Sequence, residues 1–109
     1  MKTLCSGEGV ALRGHGRKWI VSVDNTSIVV NAGASYNEMV SNLVRARYPD
    51  EDAVAILANY ALIDTGGEVD TEDDAQKCDE YRNEFAAFTS WRRRVKDAVK
   101  WLCAEIQSR

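Results

Sequence analysis

The sequence predicts an α+β fold in which an N-terminal antiparallel β-hairpin of two or three strands packs on two short helices, followed by a long C-terminal helix. Three observations predict this class. Runs of β-branched residues lie in the first third of the 109-residue chain, a capping motif and a proline delimit helices in the middle, and apolar residues recur at helical spacing in the last third. The length fits one domain over residues 1–109, with a hairpin region at 1–34, a helical hairpin at 35–63 and the long helix at 71–107.

The hairpin is predicted from residues 18–23 and 27–30, which are short and rich in valine and isoleucine. Asp24-Asn25-Thr26 between them is typical of a turn, because Asp and Asn tolerate positive φ and hydrogen-bond to their own backbone. Residues 10–12 form a weaker third candidate strand, joined to the first by the connection 13–17. Such a hairpin is marginal in water by itself, so we expect it to pack on the helices.

Ser35 and Glu38 form an S-x-x-E capping box that begins the first helix, and Pro49 ends it. Acidic residues at 50–52 then suit the first turn of a second helix, where the helix dipole favours negative charge. Residues 53–63 are apolar on nearly every side. A helix of that kind is expected to be central and covered on several sides.

The C-terminal helix shows a heptad-like seam with alternating steps of three and four residues. Its members are Cys78, Tyr81, Phe85, Phe88, Val95, Val99, Leu102 and Ile106, with Arg92 where one apolar residue is expected. A straight helix of this length would extend about 54 Å, whereas a domain of this size has a radius of gyration of about 13 Å. We therefore expect the helix either to bend near Thr89-Ser90 or to pack its far end on another chain.

Composition excludes several classes of protein. Apolar residues make up 45% and charged residues 28% of the chain, which is ordinary for a globular protein. No apolar run is long enough to cross a bilayer, and the start lacks the apolar core of a secretory signal. Three widely spaced cysteines fit neither a disulfide framework nor a zinc site. These features predict reduced thiols and a cytoplasmic location, with no cofactor, no metal, no membrane partner and no small-molecule ligand.

Charge is strongly segregated beneath the net value of −3. Residues 1–49 carry six basic and three acidic residues, residues 50–84 carry two and twelve, and residues 85–109 carry six and two. The net charges are therefore +3, −10 and +4. Such asymmetry bears on association and orientation of partners, because opposite charges steer an encounter.

A glycine-rich basic stretch contains Arg13, His15, Arg17 and Lys18. Gly9 and Gly14 have the spacing of a Walker loop, but the lysine and the hydroxyl residue that should follow are absent. These side chains remain candidates for contact with a phosphate group or an acidic partner. A small enzyme using His15 with a cysteine and carboxylates is the weakest alternative. The acidic residues at 64–74 resemble a calcium loop in composition only, and suit a solvated helix start.

The basic helical stretch 91–101 combines arginine, lysine and tryptophan, which can serve nucleic acid through phosphate contacts and stacking. A protein partner or self-association explains the same residues, and a plain solvated surface remains open. The net acidic chain and the absence of a DNA-binding motif favour the protein partner. The candidate partner-binding residues are Tyr81, Phe85, Phe88, Trp91, Arg92, Arg93, Arg94, Val95, Lys96, Val99 and Leu102.

Three segments also resemble small proteins encoded by phages and prophages of Bacteroides-type bacteria. They are the helix end at 44–48, the stretch 52–60 containing A-I-L-A-N-Y, and the stretch 80–96 that opens with E-Y-R-N-E-F. The resemblance covers roughly residues 35–100 and implies a mobile-element context, such as a virion, rather than a mechanism. We therefore expect a non-enzymatic interaction or assembly protein, with nucleic-acid binding as the first alternative and the small enzyme as the second.

Overall fold

The computed structural model describes residues 2–64 and 72–108, and the side chains of 2–62 and 76–108. Four strands come first: β1 (Lys2–Gly7), β2 (Val10–His15), β3 (Lys18–Val23) and β4 (Thr26–Asn31). Three helices follow: α1 (Tyr36–Arg47), α2 (Asp50–Asp64) and α3 (Glu72–Gln107). The α+β class, the two short helices and the long C-terminal helix are thus confirmed.

The strands form one antiparallel sheet in the order β1-β2-β3-β4. The predicted hairpin is β3–β4, and the candidate third strand is present as β2 but extends to His15. Most of the predicted connection at 13–17 is therefore strand, because only Gly16 and Arg17 remain between β2 and β3. β1 was missed, since its sequence lacks an apolar alternation and its pairing with β2 shifts register between Thr3 and Cys5.

The turn between β3 and β4 requires an unusual backbone conformation. Asp24 and Asn25 have φ values of 46° and 69°, the left-handed conformation that a two-residue hairpin turn needs and that Asp and Asn tolerate. Gly16 has a φ of 62° in the preceding turn, where a side chain would be strained. The predicted turn residues Asp24 and Asn25 are confirmed, whereas Thr26 already belongs to β4.

The chain groups into two compact units. The sheet unit contains residues 1–47 and 92–109, and the helical unit contains residues 48–91. α3 is a single helix that supplies residues to both units, and Thr89 and Ser90 are helical like their neighbours. The assignment of residues 1–109 to one domain stays a prediction.

The core of the sheet unit lies on one face of the sheet. Leu12 pairs with Val21 and Val10 with Val23, and these side chains are buried. Met39 and Leu43 of α1 and Val95, Val99 and Leu102 of α3 are buried in the same unit. A Cβ atom built on Gly7 would lie 2.9 Å from the Trp101 ring, so the indole sits directly on this glycine.

The first helix begins as its capping motif predicts. The Ser35 hydroxyl accepts a hydrogen bond from the backbone N–H of Glu38 at 3.1 Å, which satisfies one of the donors left open at a helix start. Arginines at 45 and 47 lie in its last turn, where the helix dipole favours positive charge.

The described part of the helical unit consists mainly of α2 and the first part of α3. The rings of Tyr60 and Phe85 stack with centroids 3.8 Å apart and an interplanar angle of 11°. Tyr48 meets Phe88 edge to face, with centroids 5.2 Å apart. The Tyr60–Phe85 stack joins α2 to α3, and the Tyr48–Phe88 contact joins α3 to the residues just before α2. The predicted glycine turn at 66–67 and capping box at 71–74 lie outside the described residues or side chains.

Among the described helices, none combines the length and the apolar character that crossing a membrane requires.

Candidate docking surface

The exposed side of α2 is the largest departure from the sequence-based expectation. Val54 is 66% exposed, Leu57 45% and Leu62 65%, although each is a large apolar residue. Ala58 and Ala61 are exposed on the same side. We call these five residues the α2 face; they follow the spacing i, i+3, i+4, i+7 and i+8, which aligns side chains along one side of a helix.

The expectation that α2 is covered on several sides was therefore wrong. Ile56 is the one buried residue among the described side chains of α2, while Tyr60 is half-buried and stacks on the Phe85 ring. One partner helix can cover only one side of another helix. Because α2 is apolar nearly all round, covering one side leaves a second apolar side in contact with water.

The apolar side of α3 behaves differently, because most of it is covered by the chain itself. Phe88, Trp91, Val95, Val99 and Leu102 are buried, and Tyr81 and Phe85 are half-buried. These positions were predicted to form either a partner interface or a core. In this chain the buried members belong to the core, so the apolar area that α3 offers to a partner is small.

The seam of α3 also runs through different residues than the pattern predicted. Arg92 was placed in the seam, but it is exposed. Trp91 fills that level of the helix instead, and Ala98 is buried with it. The buried series Phe88, Trp91, Val95, Ala98 and Leu102 still alternates steps of three and four, so the heptad spacing holds without a polar interruption.

Arg94, predicted to orient a partner, is engaged within the sheet unit. Its Nε donates a hydrogen bond to Asp24 Oδ2 at 2.9 Å, and its Nη2 donates to Asp24 Oδ1 at 3.1 Å and to the Glu8 carbonyl at 2.7 Å. The guanidinium hydrogen bonds and positive charge lower the pKa of Asp24, with a smaller contribution from the charge of Arg47. The hydrogen bond with Asp24 raises the pKa of Arg94 in turn.

A second arginine holds the same turn from α1. Arg47 Nη2 donates to the Asp24 carbonyl at 2.9 Å and to the Thr26 hydroxyl at 2.8 Å. The strained turn at Asp24 and Asn25 is thus held by α1 and by α3. These arginines are structural groups of the sheet unit, and sequence reasoning could not find their partners because 23 residues separate Arg47 from Asp24 and 70 separate Arg94 from it.

The remaining basic side chains of α3 face solvent. Arg92, Arg93, Lys96 and Lys100 are exposed, and Trp101 is 37% exposed. They leave the C-terminal part of α3 with a basic outer side. A partner with acidic groups, or a phosphate backbone, would meet positive charge there.

The glycine-rich basic stretch lies mostly on the face of the sheet opposite the core. Arg13 pairs across the strands with Ile20, and His15 pairs with Lys18, which brings three of the four basic candidates to one end of that face. Arg17 lies in the β2–β3 turn, and the Lys18 ammonium donates to the Asn31 side-chain carbonyl. All four side chains are exposed.

The reactive side chains of the described residues do not converge. Cys5 is buried, Cys78 and Cys103 are half-buried, and none of these three described cysteines forms a disulfide. Burial raises the pKa of the Cys103 thiol, which disfavours its nucleophilic thiolate form. Within residues 2–62 and 76–108, no group of three or more His, Cys, Asp or Glu side chains is arranged to hold a metal ion.

Comparison with known proteins adds no assignment to this geometry. No protein-family model, no curated protein and no solved structure matches the chain.

Proposed function

We propose that this is a non-enzymatic interaction protein whose docking surface for a protein partner is the α2 face. The observation that carries the proposal is the exposure of Val54, Leu57 and Leu62 on one side of a helix whose other side is already packed. Scattered exposed apolar residues are normal on protein surfaces. An aligned series along two turns of one helix is typical of an interaction site.

The free energy of docking at the α2 face comes from apolar area removed from water. Burying a large aliphatic side chain is worth about 1.5–3 kcal/mol relative to leaving it in water. Docking can bury only the exposed parts of Val54, Leu57 and Leu62, so each supplies a fraction of this gain. The cost of ordering the two partners is subtracted from it. Val54 and Leu62 contribute less than buried residues to the stability of the isolated chain, because they are 66% and 65% exposed.

The sequence favoured α3 as the docking element, and the proposal moves the apolar contact to α2. The exposed basic residues Arg92, Arg93 and Lys96 retain the proposed role of orienting a partner electrostatically. The resemblance to phage-encoded proteins adds the proposal that the partner belongs to a mobile element, such as a virion component.

A matched pair of alanine substitutions tests the proposal. Ala61 lies on the α2 face, whereas Ala87 is an exposed alanine on α3, so replacing either by aspartate imposes the same change on an exposed helical site. Affinity capture from the source cells, followed by quantitative mass spectrometry, should identify a protein that is retained by wild type and by Ala87→Asp but lost with Ala61→Asp. Leu57→Gln should also reduce the retained amount.

The captured protein must then bind directly. With both proteins purified, calorimetry should reproduce the same order of variants, while circular dichroism shows all of them folded. If every captured protein is retained equally by Ala61→Asp and Ala87→Asp, the α2 face is not the docking surface.

A further inference from the structure

The segment of the chain that contains the α2 face is rich in acidic residues. α2 begins with Asp50, Glu51 and Asp52, all exposed, and has no basic residue in its last turn. Residues 50–84, which include α2 and the first part of α3, carry twelve acidic and two basic residues. Asp79, Glu80 and Glu84 are exposed on α3 in the same unit. A partner that approaches this unit therefore meets negative charge.

The α2 face is long enough for one helix to pack along it. No charged residue occurs between Asp52 and Asp64, so the face is uninterrupted. From residue 54 to residue 62 a helix rises about 12 Å, slightly more than two turns. Ala58 and Ala61 have small side chains on this face, and small residues let the side-chain ridges of a second helix approach closely.

A second copy of this chain fits the face poorly. Pairing two α2 faces would bring together two segments that each carry a net charge of −10, and like charges across an interface cost free energy. The basic outer side of α3 would supply opposite charge, but the buried apolar side chains of that helix stretch, Val95, Val99 and Leu102, are already covered within the chain.

We infer that the occupant of the α2 face is an amphipathic helix of a partner protein, with an apolar stripe flanked by lysine and arginine. The inference rests on the proposed function and adds the chemistry of the partner. Docking would complete a three-helix arrangement around α2, whose first neighbour is already α3 through the Tyr60–Phe85 stack. Helix-in-groove recognition of this kind places its anchors at i, i+3, i+4 and i+7.

Three synthetic peptides test the inference on the full-length protein. The first is helical with a leucine stripe flanked by lysine and arginine, the second has the same stripe flanked by glutamate, and the third contains the residues of the first in an order that destroys the stripe. Fluorescence anisotropy should give the tightest binding for the first peptide. We expect affinity at least about tenfold lower for each of the other two, because each lacks one of the two contributions.

Variants separate the apolar contribution from the charge contribution. Leu57→Gln keeps helix propensity while removing an aliphatic side chain, and should weaken the first peptide about tenfold with little change in salt dependence. The double change Glu51→Gln and Asp52→Asn should lower the affinity for the first peptide at low salt by a smaller factor than Leu57→Gln does. It should also make that affinity less dependent on salt, because less electrostatic attraction remains to be screened. The exposed Asn83→Gln on α3 serves as a control that should change nothing.

The outcomes distinguish the inference from the proposed function. Equal binding of the basic and acidic peptides, both weakened by Leu57→Gln, would overturn the charge preference and leave the α2 face as a docking surface. If Leu57→Gln leaves the affinity for the basic peptide unchanged, the inference is overturned, since the peptide then binds elsewhere. A concentration-dependent dimer at low salt that Leu57→Gln dissolves would identify a second copy as the occupant and overturn it as well.

Discussion

At the scale of single residues, the turn at Asp24 and Asn25 is fixed by side chains from two different helices. Its left-handed backbone is held by Arg47 on the Asp24 carbonyl and by Arg94 on the Asp24 carboxylate. Both side chains of the Asp24–Arg94 ion pair are more than a third exposed, so solvent screens the pair and limits its contribution to stability. Its two parallel hydrogen bonds fix geometry as well as charge.

The Asp24–Arg94 pair predicts a specific pH dependence of stability. The pKa of Asp24 is lowered from 3.8 in the folded chain, so the pair stabilises the fold above that value and the contribution is lost as the pH falls through the lowered pKa. Asp24→Asn, which still tolerates the left-handed turn, should cost up to about 1 kcal/mol at neutral pH. It should also reduce the acid-induced decline of the unfolding free energy, measured by urea denaturation.

Arg94→Gln provides the matched control. It removes the same ion pair from the other side, together with the hydrogen bond to the Glu8 carbonyl. The double variant should therefore lose less stability than the sum of the two single variants. Additive effects would show that the two residues stabilise the fold independently.

At the scale of elements, the period of the apolar pattern predicted helices and strands but not which of their sides are covered. α3 follows its heptad spacing, yet Trp91 rather than a residue at 92 occupies the buried side. The two positions are adjacent, so a helix rotation of about 100° exchanges their environments. The sequence of α2 does not predict which of its sides meets α3, because the helix is apolar nearly all round.

This difference within α3 gives a prediction for two neighbouring residues. Trp91→Ala should lower the free energy of unfolding by about 3–5 kcal/mol, because it empties a buried site. Arg92→Leu should change it by less than about 1 kcal/mol, because the position faces solvent. Urea denaturation of both variants measures the two values, and Trp91→Phe offers a milder change should the alanine variant not fold. A large gain in stability with Arg92→Leu would restore Arg92 to the seam.

At the scale of the whole molecule, charge segregation is the dominant property. The acidic stretch 50–84 contains the α2 face, while the basic residues 92–100 lie in the sheet unit. Self-association through α2 would have to overcome repulsion between acidic segments, and the apolar side of α3 is mostly covered. The apolar area that α3 exposes is therefore smaller than its sequence predicted. It gives less reason to expect that a second chain covers this helix.

Charge segregation predicts the mass of the protein in solution. At low salt and micromolar concentration, light scattering coupled to size exclusion should report the mass of one chain. Near 1 M salt, where the Debye length falls to about 3 Å, repulsion is screened and a weak dimer should appear. Leu57→Gln should abolish that dimer, whereas Asn83→Gln should not. A stable dimer at low salt would contradict this account, whether or not Leu57→Gln dissolves it.

The sequence by itself determined the α+β class, the order of the elements after β1, the Ser35 cap, the turn at Asp24-Asn25 and the segregation of charge. Each of these depends on neighbours within a few residues or on composition, so local pattern suffices. Only the tertiary structure decided that α2 exposes an apolar side, that Trp91 replaces Arg92 in the seam and that Arg94 binds Asp24. Those outcomes depend on contacts between segments that are distant in the chain, and the local periodicity of the sequence does not predict such contacts.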